Sequence, residues 1–314
     1  MKKVALRPHA LLPRQYDHQK LLATTVDAWG RALWLICPDA ELQPSPYGRP
    51  RPQPRRCPYD ALLVIDTGGA VREQSLRGLS LRVTHLDALP NGRLVVQGHS
   101  VAGERNAQIY GTDGRPRRSF AMGSAVQYLM ADRRHHVWSA YSDEGVYSNP
   151  ISAAGLVRWD SGGNRQWGYM PPKGVQHIDT VYAFNVCDGV AWANYYPTFP
   201  LLEVRANGET RLRRTPVVAP RGMAVHGEQI TMLGGGREPD RLHHCRMTED
   251  EALVVEEARL ALPNGTPLKR YARPVGRGRH LYLRGASPRQ WYVLADQAAS
   301  SATVGPRPTA RTQP

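Results

Sequence analysis

The stretch "GLVRWDSGG" (Gly155–Gly163) is a short apolar run that breaks into a polar, glycine-rich turn. Variants of it recur along the chain: "LLVIDTGG" (Leu62–Gly69), "AQIYGTDG" (Ala107–Gly114), "LLEVRANG" (Leu201–Gly208), "HHCRMTED" (His243–Asp250) and "QWYVLADQ" (Gln290–Gln297). β-Branched and aromatic side chains fit a pleated strand, while Gly, Asn and Asp tolerate the positive φ of a tight turn. Each copy therefore reads as a strand entering a hairpin. Taken at the residue after the apolar run, the copies fall at Asp66, Gly111, Asp160, Ala206, Thr248 and Ala295, in steps of 45, 49, 46, 42 and 47 residues. So regular a step marks a repeat protein.

Further strand-like segments flank each copy. "VQYLMAD" and "HVWSAY" precede "GLVRWDSGG", and "NRQWGYM" follows it. Four strands per repeat predict an all-β fold, a six-bladed β-propeller of four-stranded antiparallel blades. No window between the turns carries apolar residues at helical spacing, which excludes a helical solenoid and a parallel sheet with helical crossovers. The blades are placed at approximately 24–80, 81–123, 124–173, 177–216, 218–263 and 266–297 plus 2–9, all within one domain, 1–298. The terminal "AASSATVGPRPTARTQP" is too rich in small and polar residues for an outer strand, so 299–314 reads as a disordered tail. The missing outer strand of the last blade is expected from "KKVALRPH" (Lys2–His9), laid beside "QWYVLAD" so that no edge stays open.

The formal charge is +14, carried almost entirely by arginine. Together with much Ala, Gly and Pro, this composition predicts a high-GC bacterial genome of the actinobacterial kind. The arginines are spread through most blades rather than gathered in a stripe with interleaved aromatics, apart from "YGRPRPQPRR" (Tyr47–Arg56) and "RLRR" (Arg211–Arg214). Nucleic acid is accordingly disfavoured as a partner. No apolar run reaches membrane-spanning length and the N-terminus lacks a continuous apolar stretch, so no membrane association and a cytoplasmic location are expected. Cys37, Cys57, Cys187 and Cys245 stand far apart and read as free thiols. Cys37 and Cys57 bracket one long loop, and their pairing is left open. Neither a metal site nor a cofactor is expected, because no zinc spacing, phosphate loop or calcium loop is present.

In a four-stranded up-and-down blade, the loop between strands two and three shares a face with the link into the next blade. The "DSGG"-type turns lie on the opposite face and are read as structural. The long, dissimilar loops of the first face are where function is expected. From them and from the links come the candidate ligand-binding residues Arg82, His99, Gln127, Tyr195, Arg221 and Arg270. Asp143 and Glu144 of "YSDEGVY", with His177 and Asp179, are the catalytic candidates, since carboxylates beside imidazole or guanidinium can do acid/base work. Adjacent residues on a strand point to opposite sides, so His243 and His244 do not share a ligand, and His135 and His136 fall in a turn. Two readings follow. The first is a binding or assembly scaffold that presents the loop face to a protein partner or a small polar ligand. The alternative is a channel-mouth enzyme, a hydrolase, lyase or isomerase, using Asp143/Glu144 with Arg221 or His177/Asp179.

The hairpins "AWGRALWLI", "LPNGRLVV" and "RRHHVWSAY" resemble six-bladed propellers of the NHL and gluconolactonase/regucalcin type, and "YSDEGVYSN" with "GLVRWDSGG" looks like actinobacterial propeller proteins. The resemblance implies the six-bladed architecture. Gluconolactonase-type enzymes hold a divalent cation with the Glu of an E-G-P segment, an Asn and an Asp. This chain has no E-G-P, and only Asn185 and Asp188 of "FNVCDG" match in kind. The His and Glu that streptogramin-lyase-like propellers carry in "LWFTE"-type blades are also absent.

Overall fold

A computed structural model describes residues 1–38, 42–43, 53–100, 104–235, 238–267 and 274–294. The six apolar runs of the repeat become strands Tyr59–Asp66, Ala107–Tyr110, Leu156–Asp160, Leu201–Val204, Arg241–Met247 and Gln290–Leu294, each the third of an antiparallel unit. Around the opening stretch, Val126–Ala131, His136–Tyr141, Leu156–Asp160 and Arg165–Gly168 pair in that order. We number these units first to sixth along the chain. Their inner strands are Gln19–Val26, Leu81–Ala88, Val126–Ala131, Val181–Cys187, Gly222–His226 and Pro274–Arg277. Repeated four-stranded sheets in a nearly all-β chain are the arrangement of a β-propeller.

The turn of the opening motif is fixed by its own aspartate. Asp160 Oδ1 accepts the amides of Gly162 at 2.8 Å and Asn164 at 2.9 Å. Gly163 has φ +81°, and a Cβ there would lie 2.7 Å from the Phe120 ring of the preceding unit. Glycine is thus required twice over, by backbone conformation and by space. Asp66 accepts the Gly68 amide in the equivalent turn of the first unit, and in the second unit, where Gly111 takes the equivalent place, Asp113 further into the turn accepts the Arg115 amide. The turns are structural, as the sequence reading expects, and the structure adds that the Asp is a hydrogen-bond acceptor for the turn amides.

Apolar residues on both sides of each sheet bury themselves between neighbouring units. Leu33, Leu35 and Leu63 of the first unit pack with Leu86, Val96 and Tyr110 of the second. Similar clusters join second to third, third to fourth, fourth to fifth and fifth to sixth. One more joins the sixth to the first, where Tyr282 and Trp291 meet Trp34, Ile36 and Val64. There Trp291 Nε1 also donates to Thr24 Oγ1 at 2.9 Å.

The N-terminus departs from the single strand Lys2–His9 expected of it. Lys2–Ala5 pairs in parallel with Ala258–Ala261 of the fifth unit, and Arg7–Leu11 pairs antiparallel with Gln290–Leu294 of the sixth. The cause is Leu6, 2% exposed, which with Val4 enters the cluster between those two units. One short segment serves two sheets because its apolar side chains fill the gap between them. The loop after His136–Tyr141 also contains a helix, Asp143–Ser148, that the sequence reading left irregular. Its buried Gly145 and Val146 seat it on the sheet.

Cys37, Cys57, Cys187 and Cys245 are not joined in disulfides, so Cys37 and Cys57 do not pair. No helix among the described residues is long and apolar enough to cross a membrane. The expected tail, 299–314, and the central part of the Pro/Arg-rich loop, 44–52, lie outside the described residues.

Candidate functional site

The helix Asp143–Ser148 and the link into the fourth unit meet on the loop face. Asp143 N donates to Thr180 Oγ1 at 3.0 Å, and that hydroxyl donates to Asp179 Oδ1 at 2.8 Å. One helical turn on, Tyr147 places its hydroxyl 3.0 Å from Asp179 Oδ2 and 3.2 Å from His177 Nε2. The Tyr147 and His177 rings stand at 87° with centroids 6.0 Å apart. Asp143, His177 and Asp179, chosen from sequence, are therefore brought together, and the residue that joins them, Tyr147, is one the sequence reading passed over. Glu144 is exposed in the same helical turn.

A second aromatic group continues the cluster. Asp179 N donates to the Tyr196 carbonyl at 3.2 Å, and the Phe199 ring packs against Tyr196 at 71° and Tyr182 at 83°. Tyr147, Tyr196 and Tyr182 are 65%, 44% and 38% exposed, so three large rings face solvent within one region. Phe199 sits at φ +53°, a conformation costly for a bulky residue. Its carbonyl is gripped by Nδ2 of the fully buried Asn194 at 2.6 Å. The loop is thus held in a strained form by a residue of the adjacent strand.

The Tyr147 hydroxyl is held above the usual tyrosine range, chiefly because it donates to Asp179, with the charges of Asp179 and Asp143 and the nearby Tyr196 adding to the effect. It stays protonated at neutral pH and acts as a donor, not as a base. Among the described residues, no ion pair involves Asp143, Glu144 or Asp179.

The remaining sequence candidates do not join this cluster. Tyr195 is fully buried, its hydroxyl 3.4 Å from those of Tyr169 and from the Gln176 carbonyl. Successive strand residues alternate sides, and it is Tyr196, one position on, that faces outward. Arg221 is half-buried and donates to the Pro239 carbonyl at 2.7 Å within its own unit. Arg82 and His99 stand opposite each other in the second unit, and Gln127 is exposed at a bulge in the third. Arg270 lies outside the described residues. Asn185, matched in kind to a cation ligand, is fully buried, and its side chain bonds to Met223 O, Gly278 O and Gly278 N. Asp188 sits in a turn at φ +45°. His243 bonds to Glu257 and His244 to Thr231, on opposite sides of their strand.

At the other ends of the inner strands lies a group that sequence reasoning missed. Arg277 of the sixth unit donates to Val26 O of the first at 2.9 Å, to Ala131 O of the third at 2.8 Å and to Asp87 Oδ2 of the second at 2.5 Å. Asp87 is fully buried and also accepts the Ala131 amide at 2.6 Å. Burial pushes its carboxyl up to about 6, against the opposing pull of Arg277. Beside it Gly276 bridges Asn185 in parallel, and a Cβ at Gly276 would lie 2.3 Å from Met223 O. A signal was present in "VGRGRH", where an arginine sits in an inner strand between glycines, but its partners are 190, 146 and 251 residues away.

No family model and no curated protein matches the chain. Solved structures do. Virginiamycin B lyase from Staphylococcus aureus is 13% identical, with 91% of this chain and 98% of that one covered at a TM-score of 0.47. Hsv2 of Kluyveromyces lactis is 9% identical, with 92% and 78% covered at a TM-score of 0.52. The nidogen/laminin complex gives 8% identity, 81% and 92% covered, and a TM-score of 0.48. At 9% identity the likeness to Hsv2 is one of fold alone, and with the sheets described above it makes the chain a β-propeller.

Proposed function

We propose that the chain is a binding scaffold whose loop face presents the Tyr147–His177–Asp179 cluster to a small polar ligand or a protein partner, in the cytoplasm. The single observation that carries this is the exposed, strained and aromatic-rich cluster built from three separate segments of the third and fourth units. Rigid sheets that carry such loops are a common platform for recognition. The alternative, an enzyme, draws on the same meeting of His177 and Asp179 at the Tyr147 hydroxyl. Binding is favoured because Tyr147 and His177 are open to water, with no enclosed pocket of described residues around them to exclude it from a reacting group, and because Tyr147 is held as a donor. Arg221, one of the two partners the enzyme reading offers to Asp143 and Glu144, bonds within its own unit, to the Pro239 carbonyl.

The proposed platform is a six-bladed ring spanning 1–298, closed where Arg7–Leu11 completes the sixth unit. The apolar cluster between sixth and first units supports this. Deleting residues 1–12 removes both N-terminal strands with buried Val4, Leu6 and Leu12, and should cost several kcal/mol, on the scale of a domain's whole stability. A deletion that melts like the full chain rejects the closed ring. For function, full-length protein is screened against a metabolite extract by ligand-observed NMR. Tyr147→Ala with Tyr196→Ala should abolish the hits without lowering the melting temperature, whereas retention of every hit rejects the site.

A further inference from the structure

We propose that this cluster binds a small organic cation, an ammonium or trimethylammonium head on a short polar chain. The inference rests on the binding reading above and names its ligand class. Charge is the first argument. The chain carries +14, yet Asp143, Glu144 and Asp179 gather at one end of the helix Asp143–Ser148 and its neighbouring link. The Asp143 and Asp179 charges are both felt at the Tyr147 hydroxyl, so the field there is negative on an otherwise basic molecule.

Ring geometry is the second argument. Phe199 stands nearly perpendicular to Tyr182, with centroids 5.2 Å apart, and to Tyr196, 5.7 Å apart. The two edge-on contacts make a corner of aromatic rings at the surface, with Tyr182 and Tyr196 exposed, and aromatic π-faces attract a cation, most of all a weakly hydrated ammonium. Carboxylates and ring faces alike repel an anion. A metal ion fits poorly, since among the described residues no group of three or more His, Cys, Asp or Glu is placed to hold one. Both Asp179 oxygens already accept hydrogen bonds, from Tyr147 and Thr180. They supply field, not coordination.

Preorganisation is the third. The grip of buried Asn194 on Phe199 O and Pro200 O sets the corner before any ligand arrives, which lowers the ordering cost of binding.

The test compares choline with its neutral isostere 3,3-dimethylbutan-1-ol on the full-length protein, followed by tyrosine ring NMR signals. Choline should perturb Tyr147, Tyr182 and Tyr196 saturably, and the isostere should bind at least about tenfold more weakly, as cation–π recognition with a nearby carboxylate requires. Asp179→Asn and Tyr196→Ala should each weaken choline about three- to fivefold with an unchanged melting temperature. Equal binding of both probes at these rings overturns the cation assignment and leaves the binding site standing. Perturbation by neither probe overturns the cation assignment, and if the metabolite extract also leaves these rings unmoved, the binding reading falls with it.

Discussion

Two ends of the inner strands carry a carboxylate beside a nitrogen base, and the two have opposite physical character. At the turn end, Asp87 and Arg277 are buried, with the carboxylate at 0% and the arginine side chain at 5% exposure, and they tie four units together. At the loop end, Asp179 and His177 meet through an exposed tyrosine. Desolvation makes a buried charge pair expensive to break, whereas an exposed one is screened and easily exchanged. The first is suited to holding the fold, and the second to meeting something from solution.

Substitution separates these roles. Arg277→Met removes the partner of a buried carboxylate and leaves the carbonyls of Val26 and Ala131 unbonded, and should destabilise by about 3–5 kcal/mol in chemical denaturation. A loss below about 1 kcal/mol would show that the buried pair fastens nothing. Next comes pH. The Asp87 carboxyl, raised from its ordinary 3.8 to about 6, holds its proton more tightly folded than unfolded. Its contribution to stability is therefore greatest below about pH 4 and declines as pH rises to about 6. The stability difference between the parent and Asp87→Asn, measured from pH 4 to 8, should fall across that window and flatten above it. Arg277→Met should move the Asp87 titration, read by carboxyl-carbon NMR, above 6.

A smaller effect is expected at the hairpins. Asp160→Ala leaves two amides without their acceptor and should cost about 1–2 kcal/mol, with no change at the loop face. Least of all should change with Tyr147→Phe, which keeps the ring and removes a hydroxyl open to water. Its melting temperature should stay within about a degree of the parent, as for most surface substitutions, while the His177 imidazole signals shift. A large loss of stability there would assign the cluster to the fold and erase the contrast between the two ends.

The sequence by itself determined the repeat. Strand and turn propensities act over a few residues, so "GLVRWDSGG" and its copies announce a strand entering a tight turn without reference to anything distant. For the same reason, the loop face could be picked out, and Asp143, His177 and Asp179 with it. Side-chain parity at the end of a strand was misjudged by one residue, at Tyr195 instead of Tyr196, because where the pleat stops depends on pairing. The N-terminal strand was split between two sheets by the burial of Leu6 and Val4, a matter of which gap needs filling. Only tertiary structure decided that Arg277 would meet Asp87, Val26 and Ala131, since long-range pairs leave no local pattern: their cost and their gain arise when water is excluded from the centre of the folded chain.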